Sequence, residues 1–281
     1  MQKDTNRIIC CRYNNTIESS LVADLDSDAL LNSRVIDLMI DFYNEITTKI
    51  KPSKHAKVVK TTYWRVIIES AYSLDISRYT DYSIKKYTSE LGPSKRHESI
   101  FASYEKIAFP INLHNAHWIL AVINNVDQTI EVYDSLYSEK SDNLEQRAII
   151  DSILKRYIHD MALASKICAS SLEAQTLADC YQTSIVFCPL QSGPDCGVHM
   201  LKNIELLFLG KKITKESYGK TDVMRLRKAM YDLIFELGLH ENRPLIDFKN
   251  GEVQKFVEYF MNELESNKKE TLNRTNLALL D

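Results

Sequence analysis

No charge excess of either sign, no long apolar run and no regular cysteine framework mark this 281-residue chain. Its 35 basic side chains stand against 38 acidic ones, a net charge of −3, so the basic stripe of a nucleic-acid binder is missing. Lys85-Lys86 and Lys95-Arg96-His97 are locally basic, but runs this short read as solvated surface. The start, MQKDTNRIICCRY, lacks an apolar stretch long enough for a signal peptide, and no later segment approaches the run of about 20 residues that spans a bilayer. These absences predict a soluble intracellular protein of the cytoplasm or nucleus, with no nucleic-acid and no membrane partner. Delivery into a host cell by a secreting microbe would leave no mark here. The six cysteines, at 10, 11, 168, 180, 188 and 196, are irregularly spaced and fit reduced thiols better than disulfides. No Cys-x-x-Cys pair occurs, so Cys196-x-x-His199 with Cys180 and Cys188 matches no structural-zinc spacing, and no metal is expected. Internal repeats and low-complexity tracts are absent as well.

What is present is an ordinary globular composition, 44% hydrophobic and 26% charged. With the length it predicts one large domain with appendages, and the pattern along the chain adds an arm over 1–25 and a C-terminal helix and tail over 241–281. Cap residues at Asp26-Ser27-Asp28 and the apolar face from Val35 to Ile46 predict a helix that Pro52 ends. Residues 57–74 fit strand, helix or a strand passing into a helix, and 79–91 has a short helical pattern. Three strands follow, at 106–113, 117–123 and 129–134, with 124–127 as the last turn. Helical spacing then covers 142–161, a short apolar strand covers 183–188, and two more helices cover 222–237 and 252–264. Residues 162–181 have no clear period, and 267–281 reads as a tail.

The chemistry-bearing stretch is FCPLQSGPDCGVH, 187–199. Apolar residues at Val198, Leu201, Ile204, Leu207 and Phe208 place Cys196 in a helix's first turn. Unsatisfied N–H groups and the positive dipole end favour a thiolate there, although a buried cysteine under a turn fits the local sequence too. In the 117–134 hairpin, a four-residue turn at 124–127 puts His117 directly opposite Asp134, with Cβ atoms about 4.5–5.5 Å apart. A histidine and an acid so placed match the base and orienter of a nucleophilic site. His114 and His199 are rivals for the base.

With these residues in view, the chain resembles the SUMO/sentrin-specific family of ubiquitin-like-protein cysteine proteases, whose fold is shared with the adenovirus protease. The matching segments are PINLHNAHW at 110–118, IEVYDSL at 130–136 and PDCGVHM at 194–200, with LLNSRVIDLMIDFY at 30–43 similar to the family's opening helix. The resemblance implies an α+β fold of the papain-like/adenain-like type, a central mixed β-sheet flanked by helices, with 26–240 as the catalytic domain. It implies Cys196 as nucleophile, His117 as general base and then acid, Asp134 as the group that sets the imidazole tautomer, and Gln191 as oxyanion donor. Trp118 would cover the substrate's Gly-Gly tail, and Leu30 and Asn32 would contact it. No cofactor is implied. The partner would be a ubiquitin-like modifier and its conjugates, acted on by a monomer.

Two departures stand out. The family's Trp-Leu-Asn-Asp is here Leu30-Leu31-Asn32-Ser33, and Gln191 stands five residues before Cys196, one closer than the family's spacing, with Leu190 at the usual place. The segment 160–182 is enlarged, as an insertion for recognition or a longer loop. The implied activity is cleavage after a modifier's C-terminal Gly-Gly through a thioester, SUMO first, with ubiquitin or the neddylation modifier as alternatives. An effector-type acetyltransferase using acetyl-CoA and a catalytically silent modifier-binding protein are the readings from other classes.

Overall fold

Within residues 1–25, expected as a loose arm, lie instead a hairpin and most of a short helix: β1 (Ile8–Arg12), β2 (Asn15–Glu18) and α1 (Ser19–Asp26). In the computed structural model the described residues are 7–13, 15–26, 29–50, 55–65, 100–137, 144–240 and 243–278. The helical pattern expected over 79–91 lies outside them. The chain divides into two compact units, one made of Met1–Ser53 and Gln191–Asp281, the other of Lys54–Leu190.

The first unit holds the hairpin, α1, α2 (Ser33–Glu45) and a π-helical turn over Ile46–Ile50. Strand-length alternation was too short to reveal β1, and its inward set includes a charge: Cys10 and Ile17 are fully buried, but so is most of Arg12. That guanidinium reaches Glu45 of α2 at 3.4 Å and the Arg243 carbonyl at 2.8 Å, while the Tyr13 hydroxyl donates to Glu45 as well. Burial first, then the Glu45 carboxylate, raises the Tyr13 ionisation far above its usual range. The buried Glu45 is thus paired with Arg12 and accepts from Tyr13, both on Oε2, as a buried charge needs a partner.

The second unit is built on a five-stranded mixed sheet in the order β3-β4-β5-β6-β7. These are β3 (Ala56–Val58), β4 (Lys106–Leu113), β5 (His117–Asn124), β6 (Thr129–Tyr133) and β7 (Gln182–Val186). The outer pairs β3/β4 and β6/β7 are parallel, and the inner pairs are antiparallel. The three-strand pattern read from 106 to 134 therefore forms the sheet's centre. After β3 the chain turns helical over 61–65, one of the alternatives the sequence left open. Further helices of this unit, among the described residues, are α3 (Ile100–Ser103), α4 (Leu144–Ala164) and α5 (Ser171–Cys180), so the enlarged 160–182 segment is the end of α4 and a capped helix. One sheet face packs on α4: Ile107, Phe109, Ile119 and Ala121 share a core with Ile153, Leu154, Tyr157 and Ile158. From Trp118 to Asn124 every β5 residue is buried, on both faces, which is why it reads as a continuous apolar run.

Back in the first unit come α6 (Cys196–Phe208), α7 (Lys220–Leu239), a 3-10 turn over Leu245–Asp247, and α8 (Glu252–Ala278). The expected tail from 267 is thus helical as far as Ala278. An aromatic cluster joins α2 to α6 and α8, with the Tyr43 ring 5.9 Å from Phe208 and 5.6 Å from Phe260. Near the end of α7, a Cβ at Gly238 would lie 1.9 Å from the Ile9 carbonyl oxygen. Only glycine lets β1 approach the helix that closely. Among the described residues, no helix is long and apolar enough to cross a membrane.

Candidate active site

The His117 Nε2 lies 2.7 Å from Asp134 Oδ1, with both side chains mostly buried. The contact forms, but not in the expected register. The β5/β6 ladder pairs Leu120 with Tyr133 and Asn124 with Thr129, so the turn is Asn125–Gln128, one residue later than composition suggested. The cause is Asn124: its backbone pairs in the ladder, while its side chain closes the turn, accepting from the Val126 and Asp127 N–H groups at 3.1 and 3.2 Å and donating to Asp127 and Glu131. It has the composition of a turn residue and the position of a strand residue. With this register Asp134, just past the strand, is diagonal to His117 rather than opposite. A diagonal pair is still within reach of an imidazole and a carboxylate.

Asp134 is held by its own turn. Its Oδ1 accepts the Leu136 N–H at 2.8 Å, and its carbonyl accepts the Tyr137 N–H at 3.2 Å. This aspartate turn helps aim the carboxylate independently of His117. With the Nε2 proton directed at Asp134, the basic lone pair belongs to Nδ1. The neighbouring Tyr133 hydroxyl donates to Glu131 at 2.6 Å. Burial, then Glu131, raises its ionisation far above the usual range, so it stays neutral.

In the other unit Cys196 is the first residue of α6 and is buried. The preceding loop is drawn tight by Gln191, whose Nε2 donates to the Gly193 carbonyl at 2.7 Å, with Gly193 at φ 111. One of the amide's two donors is thereby engaged in the loop. Asp195 precedes the cysteine at the N-cap position, yet makes no side-chain cap bond. Its Oδ1 instead accepts from Arg227 of α7, at 2.7 Å from Nη2 and 3.1 Å from Nε. Gly197 follows, and a Cβ there would lie 2.9 Å from the Leu31 Cβ. Gly197→Ala is expected to lower stability by about 1–3 kcal/mol, because the clash is with a Cβ that cannot rotate away. Urea unfolding checks it: a lower midpoint at unchanged slope.

The remaining candidates are placed as follows. Trp118 is buried in β5, across from Asn112. Leu30 is 41% exposed, and Asn32 is the N-cap of α2, its side chain accepting the Arg34 N–H at 2.9 Å. His114 is exposed in the β4–β5 turn, where it and Asn115 both have left-handed φ. His199 is buried with its Nδ1 3.3 Å from the Tyr218 hydroxyl. A further histidine-carboxylate row was not foreseen: Ser171 Oγ to His159 Nε2 at 3.0 Å, and His159 Nδ1 to Asp160 Oδ1 at 2.6 Å. The other oxygen of the buried Asp160 takes Arg156 at 2.7 Å, and the row fastens α5 to α4. Sequence reasoning also missed Leu31, Asp195 and Arg227; the glycine directly after the cysteine was the one signal for the first of these. Among the described residues no group of three or more metal-ligating side chains gathers, and none of the six cysteines is in a disulfide.

Comparison with known proteins gives a consistent answer. The ubiquitin-like-specific protease 1 of Saccharomyces cerevisiae is 26% identical over 157 residues, 56% of this chain and 22% of that protein. The ubiquitin-like-specific protease ESD4 of Arabidopsis thaliana is 24% identical over 215 residues, 74% of this chain and 39% of that protein. The chain thus matches well under half the length of these relatives. Among solved structures, the C-terminal Ulp1 protease domain in complex with Smt3, the yeast ortholog of SUMO, superposes with a TM-score of 0.59 at 16% identity, covering 84% of this chain and 90% of that one. The SUMO protease Ulp1 with its catalytic cysteine oxidised to a sulfenic acid gives 0.60 at 20% identity, covering 82% and 88%. These likenesses establish the Ulp1-like protease fold. The profile of the Ulp1 protease family's C-terminal catalytic domain matches residues 29–241, and the chain belongs to that family.

Proposed function

We propose that this protein is a cysteine isopeptidase that cleaves after the C-terminal Gly-Gly of a ubiquitin-like modifier, with SUMO as the first substrate, acting in the cytoplasm or nucleus through residues 26–240. The observation that carries the proposal is the family match over 29–241, a span that contains His117, Asp134 and Cys196. The hydrogen bond from His117 to Asp134 and the position of Cys196 at the start of α6 support the roles. The Smt3 held by the Ulp1 domain supports SUMO as the modifier.

The chemistry has two halves. The Cys196 thiolate attacks the carbonyl carbon of the modifier's last glycine, and the oxyanion takes the Cys196 N–H and the Gln191 amide. The C–N bond then breaks as His117, carrying the thiol's proton, gives it to the leaving lysine amine. A thioester remains. His117 next takes a proton from water, the hydroxide attacks the thioester, and the carboxylate leaves as the thiol is regenerated. Loss of one oxyanion donor elsewhere costs about 2.7–4 kcal/mol of transition-state stabilisation. In their proposed roles Trp118 would cover the modifier's glycine tail and Leu30 would contact it, an arrangement that favours glycine over residues with side chains.

The test uses C-terminal electrophile probes of SUMO, ubiquitin and the neddylation modifier on the purified chain. An adduct with the SUMO probe that forms fastest and disappears in Cys196→Ala is the expected result. Faster reaction with ubiquitin or the neddylation modifier would overturn SUMO but keep the isopeptidase; no adduct with any probe, together with acetyl transfer from acetyl-CoA, would overturn the function.

A further inference from the structure

Aspartate at a helix N-cap normally turns its carboxylate back onto the first-turn N–H groups. Asp195 does not. Its backbone begins α6 normally, the carbonyl accepting the His199 N–H at 2.9 Å, while no side-chain cap bond forms. The carboxylate is drawn off by Arg227, which reaches it from the second turn of α7 with two nitrogens. The same guanidinium donates from Nη1 and Nη2 to the Ala29 carbonyl, both at 3.2 Å. Arg227 is only 9% exposed. One planar fork therefore joins the residue before Cys196 to the residue before Leu30.

We propose that Arg227 is a positioning residue for the cleavage reaction. By holding the Asp195 carboxylate off the start of α6, it keeps that positive end for the Cys196 thiolate and the oxyanion, and by holding the Ala29 carbonyl it fixes the Leu30 wall. The physical reason is competition: a carboxylate capping the first turn would satisfy the donors and cancel the dipole that favour a thiolate there. Arginine suits the task because its charge is permanent and its fork bonds two acceptors at once, which a lysine cannot do with comparable geometry. In the same unit as Cys196, Asp195 precedes it, Arg227 reaches Asp195 from α7 and His199 lies one turn along α6; the proposed base is His117. The inference rests on the isopeptidase function, but its test is read first on the thiol itself.

The rate of Cys196 alkylation by iodoacetamide is followed from pH 4 to 10, with Cys196→Ala subtracted, and modifier cleavage is measured as kcat and KM separately. In Arg227→Gln the freed carboxylate should move the alkylation midpoint up by about one pH unit from the native value, which is expected below the ordinary thiol value of about 8.5. In Asp195→Asn/Arg227→Gln, where no carboxylate is left to free, the midpoint should return towards the native one while KM stays several-fold high, because Ala29 is still unheld. Arg227→Lys should keep the midpoint and raise KM. An unchanged midpoint in folded Arg227→Gln, or the same shift in the double variant, would overturn the clamp. Where Arg227→Gln does not fold, Asp195→Asn alone decides: its midpoint should stay or fall, and a rise overturns the proposal. A native midpoint near 8.5 would instead tell against Cys196 as the activated nucleophile, and so against the isopeptidase function itself.

Discussion

Cys196→Ala is expected to lower the turnover of a modifier conjugate by about 10⁵–10⁶-fold while leaving modifier affinity within a few-fold of native. The size follows from what one atom does. Without the sulfur no thioester can form, and removing the nucleophile from a triad protease costs about as much as removing the whole triad. Stability should change little or rise slightly, since Cys196 is buried at a helix start and alanine is a better helix former than cysteine. The pairing of near-total loss of turnover with retained binding, measured by single-turnover cleavage and by titration with a labelled modifier, separates loss of a nucleophile from misfolding. Comparable losses of binding and turnover would assign Cys196 a structural role.

Asp134→Asn should lower kcat by about 10²–10⁴-fold with KM nearly unchanged. The argument is one of tautomers. Asp134 Oδ1 accepts both His117 Nε2 and the Leu136 N–H. An asparagine keeps one oxygen, and the backbone N–H of its own turn claims it. The amide NH₂ then faces His117, so Nε2 must accept, the ring proton moves to Nδ1, and the nitrogen meant to take the thiol's proton no longer has a lone pair. The imidazolium loses its counter-charge as well. Because a helix-start thiolate depends less on a base than a serine hydroxyl does, the loss lies below that of Cys196→Ala. A matched pH profile of kcat gives the check: the limb belonging to His117 should shift to lower pH, since the carboxylate that stabilised its charged form is gone. An unshifted limb would remove Asp134 from the role.

What could be read without a fold was local. The apolar spacing after Cys196 makes α6 whatever else the chain does, and the alternation from 106 to 134 makes three strands because period and turn chemistry act over a few residues. PDCG, HNAHW and VYDS are short and contiguous, so the three candidate catalytic residues were legible in the sequence. Register was less so. Asn124 counts as turn by composition and strand by position, and a slip of one at the turn moves each partner by two; the His117–Asp134 contact survived only because both side chains reach across a diagonal.

Tertiary structure decided the features that depend on partners far along the chain. Arg227 is 32 residues from Asp195 and 198 from Ala29, and nothing in RLRKAM distinguishes it from the solvent-facing Arg225 or Lys228. The hairpin at 8–18 had too few residues to show a period, and its stability comes from Arg12 finding Glu45 and from Gly238 giving its backbone room. Sequence alone determined the candidate chemistry, because the candidate nucleophile, base and acid are side-chain identities in short motifs. The fold decided how the acid is aimed and what stands behind the cysteine, because buried charges are satisfied by whichever elements packing brings to them.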